Sequence, residues 1–321
     1  MTRPLLICMT PVRNEAWILH AFLKATSLWA DYIIIADQMS TDGSRDIAMM
    51  YPKVILIENN NQEYNEASRQ KLLIDRARKI EGKKILFGLD ADEIFSANFN
   101  ETEDWQKILN SNPGDVFEFK WMFIADDLKK GWITPEYYPW AFHDDGIEPH
   151  GNYARNIHSM RIPYPIQEKQ LKYINNFYVL HLHNVSKSRI LSKSRFYKFV
   201  DYTLNNKSVI KLSRMYSVGK IRYRMHEIDS TFIDFLKFGF NLFDDIEINL
   251  KFYWFDNYIN DNLNTDNIKK YSKLDIWDKD TKAPKRSLKT RFVHWYLHKT
   301  TDFKSNILIR ILDKILIKFG I

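Results

Sequence analysis

Cysteine is nearly absent from this chain: Cys8 is the only one in 321 residues. A lone thiol excludes a disulfide framework and any multi-cysteine zinc site, and it suits a reducing compartment. Long apolar runs are missing as well. No stretch reaches the roughly 18 uninterrupted apolar residues of a membrane-spanning helix. The opening "MTRPLLICMTPVRNE" has only a short apolar run, broken by Pro11 and charges, unlike a secretory signal. There is no Gly/Ser-rich linker and no internal repeat, so the pieces are expected to pack together. What remains is ample: 45% apolar residues and 15% aromatics exclude a disordered or low-complexity protein. A cytoplasmic globular protein of one large or two ordinary domains is expected.

Charge of one sign is scarce in each half. Residues 1–125 hold 14 Lys and Arg against 18 Asp and Glu, whereas residues 126–321 hold 33 against 22. Within 187–224 there are 11 basic residues and a single acid, Asp201. A basic second half points to a phosphate-bearing substrate, an anionic membrane surface or nucleic acid, or to nothing more than a solvated basic face.

The first 95 residues alternate between two periods. "PLLICMT", "DYIIIAD", "KVILIE" and "KKILFGLD" are short apolar runs suited to strands buried on both faces. "NEAWILHAFLKATSLW" and "YNEASRQKLLIDRARKI" are helix-like, and "STDGSRDIAMMY" opens with a capping signature. This rhythm predicts an α/β fold with a mostly parallel central sheet flanked by helices. Beyond residue 95 it fades into aromatic-rich strand candidates, "DVFEFKWMFI", "HSMRIPY" and "NNFYVLHLH", with "HDDGI" as a turn. From about 187 onward helical patterns dominate. The terminal stretch "FKSNILIRILDKILIKFGI" gathers Ile307, Leu308, Ile311, Leu312, Ile315, Leu316 and Phe319 on one helical face.

Ligands of open α/β sheets sit outside the carboxyl ends of the strands. The residues there are Pro11, Arg13, Asn14 and Glu15 after the first run, Asp37, Ser40, Thr41 and Asp42 after the second, and "DADE" (Asp90 to Glu93) after the fourth. Two residues apart on extended chain, Asp90 and Asp92 point to the same side and can face one cation. Taken singly, Asn14-Glu15 could simply start a helix, and the acids at 90–93 could be a solvated loop.

The ordered set "TPVRNEAWILHAFL", "DYIIIADQMSTDGS", "NEASRQKLL" and "ILFGLDADEIF" resembles a family 2 glycosyltransferase of GT-A fold, loosely like members that build lipopolysaccharide cores. The resemblance covers residues 1–95 well and 96–205 loosely. It implies transfer of a sugar from a nucleoside-diphosphate sugar, a UDP-sugar foremost, to a hydroxyl of a glycan or glycolipid, with inversion. It implies that Pro11, Arg13, Asn14, Glu15, Asp37, Arg69, Asp90 and Ala91 meet the nucleotide-sugar. Gln70 stands where the family usually has Asn. Asp92, with Asp90, would hold Mn²⁺ or Mg²⁺, and a His after a later strand, His181 or His183, would complete the shell. "IHSM", with His158, would match a Val-His-Glu segment, Ser159 replacing Glu.

An inverting transferase needs a carboxylate to take the acceptor proton. Asp126, Asp127, Asp144, Asp145 and Glu148 lie in the appropriate stretch, and Asp145 and Glu148 are the expected pair from which the base comes. Lys187, Arg189, Lys193 and Arg195 are placed to meet a diphosphate or an anionic acceptor. The expected organisation is a catalytic domain over 1–205, its nucleotide half 1–95 and acceptor half 96–205, followed by a helical region 206–321. In that region 303–321 either lies on the inner face of the cell membrane or packs on protein, including a second copy of the chain. Other readings stand beside this one: a phosphatase or sugar-nucleotidyltransferase using Asp-x-Asp, or a non-catalytic binding subunit. No nucleic-acid module is recognisable, so no nucleic-acid partner is expected.

Overall fold

The computed structural model describes residues 3–61, 65–147, 160–162, 170–216, 225–248, 253–264, 267–277, 284–301 and 306–319. It divides into two compact units: residues 1–185 with 225–248, and residues 186–224 with 249–321.

The first unit opens as three strand–helix steps. β1 (Leu5–Val12), α1 (Ala16–Ser27), β2 (Tyr32–Asp37), α2 (Ser44–Met49), β3 (Val54–Glu58), α3 (Glu66–Arg78) and β4 (Lys84–Gly88) follow in order. β5 (Glu93–Phe95), α4 (Glu103–Leu109), β6 (Val116–Phe119), β7 (Trp121–Ile124), β8 (Lys130–Ile133), β9 (Tyr138–His143), β10 (Leu171–Tyr173), β11 (Val179–His181) and β12 (His226–Glu227) complete it. Seven strands form one sheet in the order β10-β6-β9-β4-β1-β2-β3, and five form a second, β12-β8-β7-β11-β5. β4, β1, β2 and β3 run parallel, while β9 is antiparallel to both its neighbours. The α/β class with a mostly parallel sheet and flanking helices is thus as expected.

The apolar runs become central strands because both faces are covered. Ile7, Met9, Ile34 and Leu86 pack under Leu73, Ile74 and Ala77 of α3 in one cluster. Cys8 lies inside as well, where burial pushes its thiol up to about 12, so no thiolate forms there. "DVFEFKWMFI" does not make one strand: it breaks at Lys120, so β6 joins the first sheet and β7 the second. Strand order reverses between β1 and β4, and ligand crevices open outside the carboxyl ends at such a point. Gly88 closes β4 there, and a Cβ on it would meet Arg161 at 3.2 Å. Its bare backbone lets the segment carrying Arg161 lie across the strand end.

The second unit is helical. It comprises α5 (Lys187–Asn205), α6 (Val209–Tyr216), α7 (Trp254–Asp261), α8 (Ile268–Tyr271), α9 (Leu288–Thr300) and α10 (Ile307–Lys318). Arg195 of α5 chelates Asp256 of α7 at 2.8 Å through both Nε and Nη2. Asp313 of α10 receives Arg214 of α6 at 2.9 Å and the Tyr296 hydroxyl of α9 at 2.7 Å. No described helix is long and apolar enough to cross a membrane.

Candidate nucleotide and metal site

The loops after β1 and β2 are built into each other. Asn14 takes a left-handed φ of 54°, so it does not cap α1. Its amide N–H donates to the Ser40 hydroxyl at 2.9 Å, and its side-chain Oδ1 accepts from Thr41 N–H at 2.7 Å. The first turn of α1 is capped from the other loop: Asp42 accepts from Ala16 N–H at 2.9 Å and Ser44 from Glu15 N–H at 3.0 Å. Glu15 receives the Trp17 indole N–H at 2.6 Å. Pro11 still belongs to β1, paired with Ala36, and Val12 pairs with Asp37. Asp37 is 1% exposed. Its Oδ2 accepts from Arg45 at 3.1 Å and from Ser40 N–H at 3.2 Å, while its buried Oδ1 has no hydrogen-bond partner. A buried carboxylate oxygen left open is costly unless a ligand donor meets it.

At the end of β4 three acids have three environments. Asp90 is half-buried and its Oδ2 accepts from Arg161 at 2.6 Å. Ala91 is buried beneath it. Glu93 is fully buried, and it is not a bystander. It accepts the Trp121 indole N–H at 2.9 Å, the Asp90 amide at 3.0 Å and a close charged bond from Arg161. Burial pushes the Glu93 carboxyl up to about 7, Arg161 pulling it down and Asp90 and Asp92 pushing it further up. Burial works against the Arg161 charge, but Asp90 and Glu93 outweigh it and hold the guanidinium above its ordinary value. Arg161 also lies 5.8 Å from the Trp140 ring centre.

Asp92, His181 and His183 form the third group. β11 pairs antiparallel with β5, setting His181 opposite Glu93, and Leu182 N–H donates to the Asp92 carbonyl at 2.8 Å. This register brings the imidazoles to Asp92. His181 Nε2 lies 3.8 Å from Asp92 Oδ1, and one ligand atom from each of the three residues falls within 4.8 Å of the others. His183 follows in a 3-10 turn rather than on the strand, yet its ring stays 5.4 Å from that of His181. One carboxylate and two imidazoles are a donor set that can hold a divalent ion. Asp90, engaged with Arg161, is not part of this group.

A row of aromatic rings runs from His181 across the second sheet, with Tyr138 joining it from β9 of the first. Trp121 stacks on it at 5.0 Å, Phe123 lies at 4.9 Å, Trp132 stacks on Phe123 at 5.7 Å and Tyr138 meets Trp121 at 4.5 Å. All four are half-buried, with surface still open to solvent.

The remaining expected residues lie elsewhere. Arg13 and Arg69 are half-buried, Arg69 in the first turn of α3 and Gln70 buried beside it. Asp145 is not brought to the site. β9 runs antiparallel to β4, so its end reaches the start of β4, where Asp144 N–H bonds the Lys84 carbonyl at 3.0 Å. That places Asp145 more than about 20 Å from the Asp90–Asp92 rim by strand rise, and its carboxylate accepts from Ile147 N–H at 2.9 Å. Glu148, His158 and Ser159 lie outside the described residues. Asp126 and Asp127 follow β7 at the end where Phe123 pairs with His181. Asp127 accepts from Lys129 and Lys130 amides at 3.0 and 2.9 Å, whereas the exposed Asp126 makes no hydrogen bond among the described residues. Of the basic run, Arg189 is buried within the second unit, 5.6 Å from the Phe255 ring centre.

No protein family and no curated protein matches the chain. Solved structures align with parts of it. One is glucosyl-3-phosphoglycerate synthase from Mycobacterium tuberculosis in complex with Mg²⁺ and uridine diphosphate, at 16% identity over 39% of this chain and 48% of that one, with a TM-score of 0.28. Another is 4-diphosphocytidyl-2C-methyl-D-erythritol synthase from Anaerococcus prevotii, at 11% identity over 58% of this chain and 94% of that one, with a TM-score of 0.32. The chain thus spans less than half the length of the first of these, and each is a protein it resembles over part of its course.

Proposed function

We propose that the first unit is an inverting, metal-dependent glycosyltransferase of family 2 type with a GT-A fold. Its donor is a nucleoside-diphosphate sugar, UDP-linked first among them. Its acceptor is a hydroxyl on a glycan or glycolipid of the cell surface, such as a lipopolysaccharide core. The observation that supports this is the grouping of Asp92, His181 and His183 just after β4, together with the open oxygen of Asp37 at the carboxyl end of β2 in the same parallel sheet as β4.

Asp37 offers that oxygen to a donor on the base or ribose. Asp90, its Oδ2 held by Arg161, keeps Oδ1 for the ribose. Asp92, His181 and His183 would hold the cation. The donor set suits a first-row transition ion such as Mn²⁺ better than Mg²⁺, which prefers an all-oxygen shell. When bound, such an ion would supply the positive charge that the departing nucleoside diphosphate requires. Glu93 and Arg161 hold the rim in shape beneath. Trp121, Phe123, Trp132 and Tyr138 present ring faces on which sugar C–H groups can stack, which favours a glycan acceptor. Asp126, free of internal bonds and on the His181 side, takes the role of base in place of Asp145.

A panel of UDP, GDP, CDP and dTDP sugars, with and without Mn²⁺, tests the donor site by thermal shift. Stabilisation by one nucleotide that needs the metal and vanishes in Asp92→Ala is expected. No metal-dependent stabilisation by any nucleotide overturns the reading, and release of pyrophosphate instead of a nucleoside diphosphate converts it to nucleotidyl transfer. Asp126→Asn is expected to lower kcat by about 10²–10⁴-fold with KM little changed.

A further inference from the structure

The second unit contains a cavity of about 410 Å³, well within the range of small-molecule sites. Two helices line it with matched faces. α5 contributes Ser194, Arg195 and Lys198, and α9 contributes His294 and His298, at the three- and four-residue spacings that put side chains on one side of a helix. Arg214 of α6 adds a third permanent cation to the lining. The one carboxylate lining it is Asp275, whose side chain is 64% exposed.

The cations differ in how they are balanced. Arg214 is committed to Asp313 and to Thr300. Arg195 gives Nε and Nη2 to Asp256, and among the described residues its Nη1 makes no bond. Lys198 is the exception. It is 91% buried, being 9% exposed, and among the described residues its ammonium has neither a hydrogen bond nor an ion pair. Burial pulls its pKa below the ordinary lysine value, with Arg195 adding to the fall and Asp275 opposing it. Its stem is buried, and with no acceptor among those residues its ammonium is left for an anion that enters the cavity. His294 gives its Nε2–H to the Lys273 carbonyl at 3.0 Å, so its Nδ1 donates to an anion only once the ring is protonated, which burial opposes and a bound phosphate would favour.

We propose that this cavity is a binding site for the phosphate group of an organic ligand, with Lys198 as its central cation and Arg195, His294 and His298 around it. The cavity is larger than a bare phosphate needs. Trp277 and Leu297 supply apolar wall for the body that carries the phosphate. The site stands on the second unit alone and does not depend on sugar transfer by the first. The same chemistry is carried by soluble phosphate esters and by lipid phosphate headgroups.

Isothermal titration of the full chain with inorganic pyrophosphate, against sodium chloride at equal ionic strength, tests the site. Binding is expected, at least tenfold weaker in Lys198→Met, whose side chain fills the same space without the charge. His298→Glu alters an exposed lining residue and should weaken binding at least tenfold too, so the test holds even if Lys198→Met misfolds. Absence of pyrophosphate binding, or equal binding by the parent and both variants, overturns the proposal. Co-sedimentation with phosphatidic acid vesicles then separates the sources. Sedimentation stronger than with phosphatidylglycerol, the excess lost in Lys198→Met, assigns the site to a lipid headgroup, and no such excess assigns it to a soluble phosphate ester.

Discussion

Asp90, Asp92 and Glu93 stand within four positions of each other, and what each can do follows from what surrounds it. Asp92 has two imidazoles beside it, Asp90 has one guanidinium, and Glu93 has that guanidinium together with an indole and no exposed surface. Arg161 therefore bridges two carboxylates, one of them sealed from solvent. Arg161→Met strands Glu93, and breaking a buried pair in this way should cost about 3–5 kcal/mol by denaturant unfolding. Adding Glu93→Gln removes the stranded charge, so the double variant is expected to be less unstable than the sum of the singles. Simple additivity would mean that the two do not act on each other. The acids themselves are legible in the sequence as a strand end, but nothing there separates the buried Glu93 from Asp90 and Asp92. Its burial comes from β11, which returns much later in the chain to pair with β5. Arg161 sits in no motif, and only the tertiary fold lays it over Gly88.

At the scale of elements, the four apolar runs became β1 to β4 because continuous apolar stretches fit strands covered on both sides. Capping was harder to read. "STDGS" signals a helix start, and so it proves for α2, yet Asp42 also caps α1 across the gap between two loops. Local sequence cannot show a cap that comes from another segment. The same holds for Asp201, the lone acid of a basic stretch. It is buried on α5 and accepts from Asn205 at 2.6 Å, Lys207 at 2.7 Å and Tyr216 at 2.5 Å, tying α5 to α6. Burial pushes its carboxyl up, but the three donors outweigh that and its pKa ends below the ordinary aspartate value. A depressed folded-state pKa contributes stability that is present above the unfolded value, about 3.9, and is lost as pH falls through the folded value. Asp201→Ala should cost about 2–4 kcal/mol near pH 7, where it leaves Lys207 and Tyr216 without their acceptor. Denaturant melts of parent and variant are expected to converge as pH drops below about 4. A gap that stays constant down to pH 2 would show that the charged network is not what Asp201 contributes.

Across the whole molecule, charge and apolar surface concentrate in the second unit. The terminal helix has the amphipathic face its sequence suggests, but that face is turned outward: Ile307 is 65% exposed, Leu308 71% and Phe319 72%, while Asp313 on the other side is buried by Arg214 and Tyr296. Helical periodicity marks a face without saying what covers it, so an apolar face and a buried acid could not be told apart in role beforehand. Next in sequence to this helix, α9 also leaves Phe292 and Trp295 half exposed, their rings 5.8 Å apart. Exposed cations flank both helices, among them Lys289, Arg310, Lys314 and Lys318. Apolar rings and aliphatics bordered by lysines are what an interfacial helix offers to anionic lipid. A glycolipid acceptor would be met at such a surface. The full chain is therefore expected to sediment with vesicles containing phosphatidylglycerol, more weakly with phosphatidylcholine alone, and less at high salt as the electrostatic part is screened. Ile311→Glu with Ile315→Glu should abolish sedimentation while leaving the melting temperature nearly unchanged, since neither side chain packs inside. Vesicle binding that survives this pair of substitutions rules out membrane contact by α10. A concentration-dependent rise in mass that the same substitutions remove would assign the face to a second copy of the chain.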